Sequence, residues 1–269
     1  MPRSGKQQPA QIITLLTDFG LRDPYVGMMH GVILSIAPSV RIVDLTHEIA
    51  PQDIFDAAYV LRSSYRYFPK GTVHVAVVDP GVGTSRKAVA LRADGHFFVV
   101  PDNGVVSLVT AETPAAEMVE LTERKYFLQD VSWTFHGRDI FSPVAAHIAN
   151  GVELGTFGES LEKMAKLDLP RPRQERGSVR GEVIHIDRFG NLITNISASD
   201  LMMIRTNECE IQLADQKIHG IKQSCGAVGK GELLVLIGSS GLLEVSMNQG
   251  DAAASLKVGK GGKVKVGAR

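Results

Sequence analysis

An alternation in the first hundred residues most constrains what this chain can fold into. Short β-branched, apolar runs at 12–17, 40–45 and 73–78 are separated by stretches with helical spacing at 24–36 and 54–67. In the second stretch Ile54, Ala57, Ala58, Leu61 and Tyr65 fall on one helical face. Two further runs, 88–92 and 97–100, flank the hairpin-like Ala93-Asp94-Gly95. Strands alternating with helices predict an α/β/α layered domain with a largely parallel central sheet. Runs apolar on both faces, bounded by Gly and Pro, fit strands covered on both sides. Such sheets bind ligands at the carboxyl ends of their strands. Asp18 and Asp79 each stand at such an end.

The pattern changes at residues 166–180, which carry Pro170 and Pro172 among many charges and show no periodicity. Beyond this linker the chain reads as β-rich, with strands at 178–186, 204–212, 233–237 and 242–245. The expected organisation is a disordered tail at 1–10, an α/β domain at 11–165, the linker, and a smaller all-β domain at 181–269. Lys and Arg total 29, as do Asp and Glu, so net charge gives no general attraction to nucleic acid or anionic membrane. Cys209 and Cys225 lie in no C-x-x-C or zinc-ligand spacing and read as two buried, reduced thiols. The polar, basic N-terminus is not a secretory signal, and no apolar run spans a bilayer. These features predict a cytoplasmic protein with neither membrane nor nucleic-acid partners.

Four segments could carry chemistry. In Asp79-Pro80-Gly81-Val82-Gly83-Thr84-Ser85-Arg86 a strand-end carboxylate precedes a glycine-rich turn and an arginine. The glycines allow close backbone approach to a ligand, although the spacing is neither a P-loop nor a dinucleotide fingerprint. The same spacing fits a tight loop with a structural ion pair. Trp133-Thr134-Phe135-His136-Gly137-Arg138-Asp139 sets three polar side chains among aromatics before a helix at 140–150. No second histidine stands at metal-ligand spacing, so no metal is expected. Asp187-Arg188-Phe189-Gly190-Asn191 offers a carboxylate, an aromatic face and an amide suited to a purine edge; it is equally an ordinary β-turn. Finally, Gly238-Ser239-Ser240-Gly241 is a loop able to present backbone amides to a carboxylate.

In order along the chain, Thr17-Asp18-Phe19-Gly20, Val78-Asp79-Pro80-Gly81-Val82-Gly83, Pro101-Asp102-Asn103-Gly104, His136-Gly137-Arg138-Asp139-Ile140-Phe141, the segment from Asp187 to Asn195, and Gly241-Leu242-Leu243-Glu244 with Asn248 resemble one family. It is that of the S-adenosyl-L-methionine (SAM) hydroxide adenosyltransferases, relatives of fluorinating and chlorinating enzymes. The resemblance implies hydrolysis of SAM to adenosine and L-methionine without cofactor, by water attacking C5′. It also implies a homotrimer with sites between subunits. It assigns the attacking water to Asp79, Arg86 and His136. Asp18 is implied to hold the ribose, and Asp23, Asp187 and Ser239 the methionine end. Phe189 and Asn191 face the adenine, and Glu244 and Asn248 complete the substrate-binding set. The halogenating relatives carry Tyr in place of Asp79, an Arg in place of Ser240 and an aromatic in place of Gln52. A carboxylate at Asp79 disfavours a halide nucleophile. The competing expectations are a chlorinase-like halogenase and a non-catalytic SAM or adenosine sensor.

Overall fold

The structure, a computed structural model, describes residues 11–205 and 208–268; the expected tail at 1–10 lies outside them. The chain divides into two compact units between Leu167 and Asp168.

In the first unit, β1 (Ile12–Thr17), β2 (Arg41–Thr46), β3 (Val73–Val77), β4 (Ala88–Ala93), β5 (His96–Pro101) and β6 (Glu117–Glu120) form one sheet in the order β2-β1-β3-β5-β4-β6. β1 is parallel to β2 and β3, and β3 to β5, whereas β4 is antiparallel to β5 and β6. Parallel neighbours need crossovers. The first two are supplied by α1 (Tyr25–Ile36) and α2 (Ile54–Ser64); α3 (Ser107–Glu112) and α4 (Ser142–Ala149) follow. Side-chain alternation along the strands builds two cores. Leu15, Val75 and Val77 pack with Met29, Ile33 and Val144 on one face. Leu16, Ala76 and Val78 pack with Ala57, Leu61 and Phe98 on the other. The expected three-layer α/β/α arrangement is what forms.

Local chemistry fixes the joints. Asp53 caps α2, its side chain accepting from the Asp56 N–H. Asp94 and Gly95 have positive φ, 47° and 72°, the geometry of a two-residue hairpin turn. After β1 the chain moves to β2 on one side, and β3 returns on the other side of β1. The loops leaving β1 and β3 therefore diverge at a topological switch point, where a crevice opens.

The second unit is a nine-stranded sheet. Its strands are β7 (Arg173–Glu175), β8 (Ser178–Ile186), β9 (Leu192–Ser197), β10 (Cys209–Leu213), β11 (Gln216–His219), β12 (Ile221–Lys222), β13 (Leu233–Ile237), β14 (Leu242–Met247) and β15 (Lys263–Ala268). The order is β11-β10-β15-β8-β9-β14-β13-β12, with β7 paired to β8, and the short α-helix α5 (Ala252–Leu256) accompanies it. Val179, Val183, Ile211, Val235, Val245 and Val266 are among the side chains forming its core.

Three expectations change. Arg173–Glu175, inside the expected linker, pair with β8, because an extended charged segment can complete a sheet edge. The strand expected at 204–212 begins at Cys209, since Ile204 closes a turn onto the Leu201 carbonyl. Cys209 is buried but Cys225 is exposed, in a surface 3-10 turn. Among the described residues no helix is long and apolar enough to cross a membrane.

Candidate active site

The crevice at the switch point of the first unit is a cavity of about 430 Å3. Asp18, Gln52, Asp79, Val82 and His136 are among its lining residues. Its apolar wall is a cluster of Phe19, Tyr25 and Phe135, with ring centroids 5.2 to 5.8 Å apart. Four sequence segments far apart in the chain thus meet at one place.

Asp79 and Arg86 form a bidentate pair, with Arg86 Nε donating to Asp79 Oδ1 at 3.0 Å and Nη2 donating to Oδ2. Both side chains are nearly buried, at 5% and 8% exposure. Arg86 Nη2 also donates to His136 Nδ1 at 3.1 Å, and Nη1 donates to the Lys87 carbonyl. A guanidinium only donates, so His136 Nδ1 must accept and the ring proton sits on Nε2. Burial, then the Arg86 charge, holds His136 below the usual histidine range, consistent with a neutral ring. Burial pushes the Asp79 carboxyl above its ordinary value, while the Arg86 charge and hydrogen bonds pull the other way. Arg86 is not among the cavity-lining residues. It stands behind Asp79 and His136 and joins them.

Two loops make this possible. Gly83 has φ +74°, and a Cβ there would overlap the Trp133 carbonyl oxygen, so the Asp79–Arg86 loop lies directly on the His136 loop. The His136 loop is stapled by buried Asp139, which accepts from Ser132 N and Oγ at 2.8 and 2.7 Å and from Arg138 Nε at 2.6 Å. Burial opposes ionisation of Asp139, but the Arg138 and Ser132 hydrogen bonds outweigh it and hold the carboxyl below its usual range. A π-type turn, Gly137–Phe141, then leads into α4.

Asp18 faces the same cavity, its Oδ2 accepting from the Gln52 N–H at 2.8 Å. Sequence reasoning missed what holds that loop. Buried His47 sets its Nδ1 2.8 Å from Thr17 Oγ1, which accepts from Phe19 N, and the His47 carbonyl accepts from Gly20 N. His47 Nε2 lies 3.1 Å from Asp44 Oδ1, and His30 of α1 bonds the same oxygen at 2.9 Å. Burial opposes ionisation of Asp44, but the two imidazoles outweigh it and hold the carboxyl below its usual range. The one sequence signal was a histidine set among polar residues just past β2. Asp23 is exposed in the turn before α1 and does not line the cavity.

In the second unit, Asp187, Phe189 and Asn191 share one turn between β8 and β9. Asp187 Oδ1 accepts from Phe189 N and Asn191 N at 2.9 Å each, and Oδ2 accepts from Asn191 Nδ2 at 2.8 Å. Phe189 is 76% exposed. Ser239 is exposed in the turn entering β14, and Asn248 follows that strand, so the two flank its opposite ends. The Asn248 amide donates to the Val228 carbonyl, and Glu244 accepts from Ser246 Oγ.

An α/β unit with a carboxylate–guanidinium–imidazole chain at its switch point, followed by a β unit with an exposed aromatic turn, defines a two-domain class. The model of the SAM hydroxide adenosyltransferase N-terminal domain matches residues 13–158, and that of the C-terminal domain residues 181–265. The chain belongs to the SAM hydroxide adenosyltransferase family. It is similar to the (R)-S-adenosyl-L-methionine hydrolase of Salinispora tropica, at 41% identity over 96% of this chain and 98% of that one. The fluorinase of Actinoplanes sp. is more distant, 31% identical over 75% of each chain. The crystal structure of a conserved protein from Thermotoga maritima superposes with a TM-score of 0.90 at 40% identity, covering 96% of this chain and 100% of its own.

Proposed function

We propose that this chain hydrolyses SAM to adenosine and L-methionine by attack of water on C5′. The observation that carries the reading is the hydrogen-bonded Asp79–Arg86–His136 chain, its ion pair nearly buried, at the wall of the switch-point cavity. The sulfonium leaves as a neutral thioether, so the C5′–S electron pair returns to sulfur and no acid is needed there. The demand falls on the nucleophile. A carboxylate and the Nε2–H of a neutral imidazole offer water one acceptor and one donor. Asp79 takes the proton as the O–C5′ bond forms, which general-base catalysis makes worth about 10²–10⁴-fold. Arg86 acts through its two partners, fixing the Asp79 carboxylate and the His136 tautomer. Alignment of water with C5′ in a closed site can supply ~7–11 kcal/mol. The carboxylate repels a halide, which favours water over the fluorinase-type nucleophile.

Asp18 holds the ribose hydroxyls in this reading, with Asp23, Asp187 and Ser239 at the methionine end. Phe189 and Asn191 face the adenine, and Glu244 and Asn248 support that pocket. The reading includes a homotrimer with shared sites, no metal or other cofactor, and a cytoplasmic location. Chromatography of protein incubated with SAM, after dialysis against a chelator, tests it. Adenosine and methionine should form in equal amounts, independently of chloride or fluoride. Unchanged SAM would favour a binding module, and halide-dependent 5′-halo-adenosine would favour a halogenase. Light scattering should give three chains per particle.

A further inference from the structure

The outward face of the second unit carries a charge pattern that the reaction does not use. Arg173 of β7 lies directly opposite Arg180 of β8, and Arg180 lies directly opposite Lys265 of β15. Three cations therefore stand in one cross-strand row, spaced by the roughly 4.8 Å between hydrogen-bonded strands. The alternate positions Val179 and Val266 are buried in the core, so the row faces away from it. Like charges directly opposite one another destabilise a sheet. In a chain whose cations and anions balance, such a row gathers positive charge that Glu175 offsets only in part and that a bound anion would offset further.

The row also lies in a cavity rather than on a flat face. Asn195 Nδ2 donates to the Pro170 carbonyl while its Oδ1 accepts from Glu182 N, which pins the segment preceding β7 beside the sheet. The resulting cavity is about 930 Å3 and is lined wholly by the second unit. Arg171, Arg173, Arg180, Lys263 and Lys265 line it, against the carboxylates of Asp168 and Glu182. Glu182 is taken by Lys263 and Glu175 by Arg180. Glu175 is held below its usual range first by the Arg180 hydrogen bond, with a smaller contribution from Lys265. Among the described residues the side chains of Arg171 and Arg173 have no hydrogen-bond or ion-pair partner.

We infer that this cavity binds a linear polyphosphate, either free or as the triphosphate of a nucleotide. Several cations in a line match a ligand with several negative charges in a line, and guanidinium forks match phosphate oxygens in pairs. A bounded cavity favours a small polyanion over a long nucleic-acid strand. The inference is independent of the proposed reaction, because the residues are separate from those assigned to SAM.

Calorimetric titration of the full chain with tripolyphosphate, ATP, adenosine and a single-stranded oligonucleotide tests it. Ionic strength is kept at about 0.15 M, where the Debye length of about 8 Å suppresses diffuse attraction. Tripolyphosphate and ATP should bind alike, and adenosine should not compete with tripolyphosphate. The double variant Arg173→Gln/Lys265→Gln should bind tripolyphosphate at least about tenfold more weakly, having lost two charge-assisted contacts. Without ligand that variant should melt close to the wild-type temperature, because neither side chain forms an ion pair among the described residues. The inference is overturned if tripolyphosphate does not bind, or binds the variant equally well. ATP binding without tripolyphosphate binding, or a preference for the oligonucleotide, would each overturn it too.

Discussion

Arg86 makes hydrogen bonds to Asp79, to His136 and to the Lys87 carbonyl, and that commitment limits what it can do. A guanidinium so occupied orients its neighbours. Asp79→Asn should therefore lower kcat by about 10²–10⁴-fold while KM for SAM stays within a few-fold. Loss of binding at unchanged kcat would remove Asp79 from the chemistry. The variant leaves a nearly buried guanidinium without its counter-charge, which costs about 3–5 kcal/mol in comparable pairs, so its melting curve belongs beside the kinetics. The pH profile follows from the same contacts. His136 titrates below the usual histidine value, so kcat/KM should stay flat as pH falls through the range of a free imidazole and decline only below it. Protonated His136 can no longer accept from Arg86, and protonated Asp79, itself raised by burial, can no longer take the proton of water, so both supply the acid limb. A decline that begins above neutrality would contradict this. Asp79 and His136 were legible because short polar runs at the ends of apolar segments are visible in a sequence. The placement of Arg86 behind them was not, because it depends on which way a loop folds back.

At the scale of elements, the site depends on loops held by groups far apart in sequence. Gly83→Ala would force a Cβ onto the Trp133 carbonyl in a backbone region unfavourable to side chains. It should destabilise the protein by about 1–3 kcal/mol and lower kcat by separating the Asp79 and His136 loops. Urea unfolding together with steady-state kinetics would show both losses. His47→Ala should chiefly raise KM for SAM, because its ring anchors Thr17, the residue before Asp18, while its backbone bond to Gly20 is kept. A loss confined to kcat would contradict that role. The strands and crossover helices of the first unit were legible because runs apolar on both faces and helical periodicity are local signals. His47, the Phe19–Tyr25–Phe135 wall and β7 were not, because each is defined by pairing across space. In the second unit the register of Arg173, Arg180 and Lys265 is likewise invisible until the strands are paired.

For the molecule as a whole, acid stability should be set in part by a pair of histidines inside the first unit. His74 and His96 are fully buried, with Nε2 of the first 3.2 Å from Nδ1 of the second, and Thr14 Oγ1 lies 2.7 Å from His74 Nδ1. Burial, then the neighbouring ring, pushes His74 down to about 3, and burial also lowers His96. The native state therefore binds fewer protons than the unfolded chain once pH falls below the free histidine value of about 6.5. Stability from this pair is fully present above that pH and falls in acid by up to ~1.4 kcal/mol per pH unit for each histidine. Denaturant unfolding at a series of pH values should show this slope, and replacing His74 with Phe should reduce it. A stability that rises between neutrality and mild acid would contradict the account.

The central claim is that water bound at Asp79 and His136 attacks C5′ of SAM. Incubation with SAM in ¹⁸O-labelled water, free of halide, followed by mass spectrometry of the adenosine tests it most directly. The account predicts one heavy oxygen at O5′, released methionine without label, and loss of both products in Asp79→Asn. Unlabelled adenosine, or label appearing at the same rate in that variant, would contradict it.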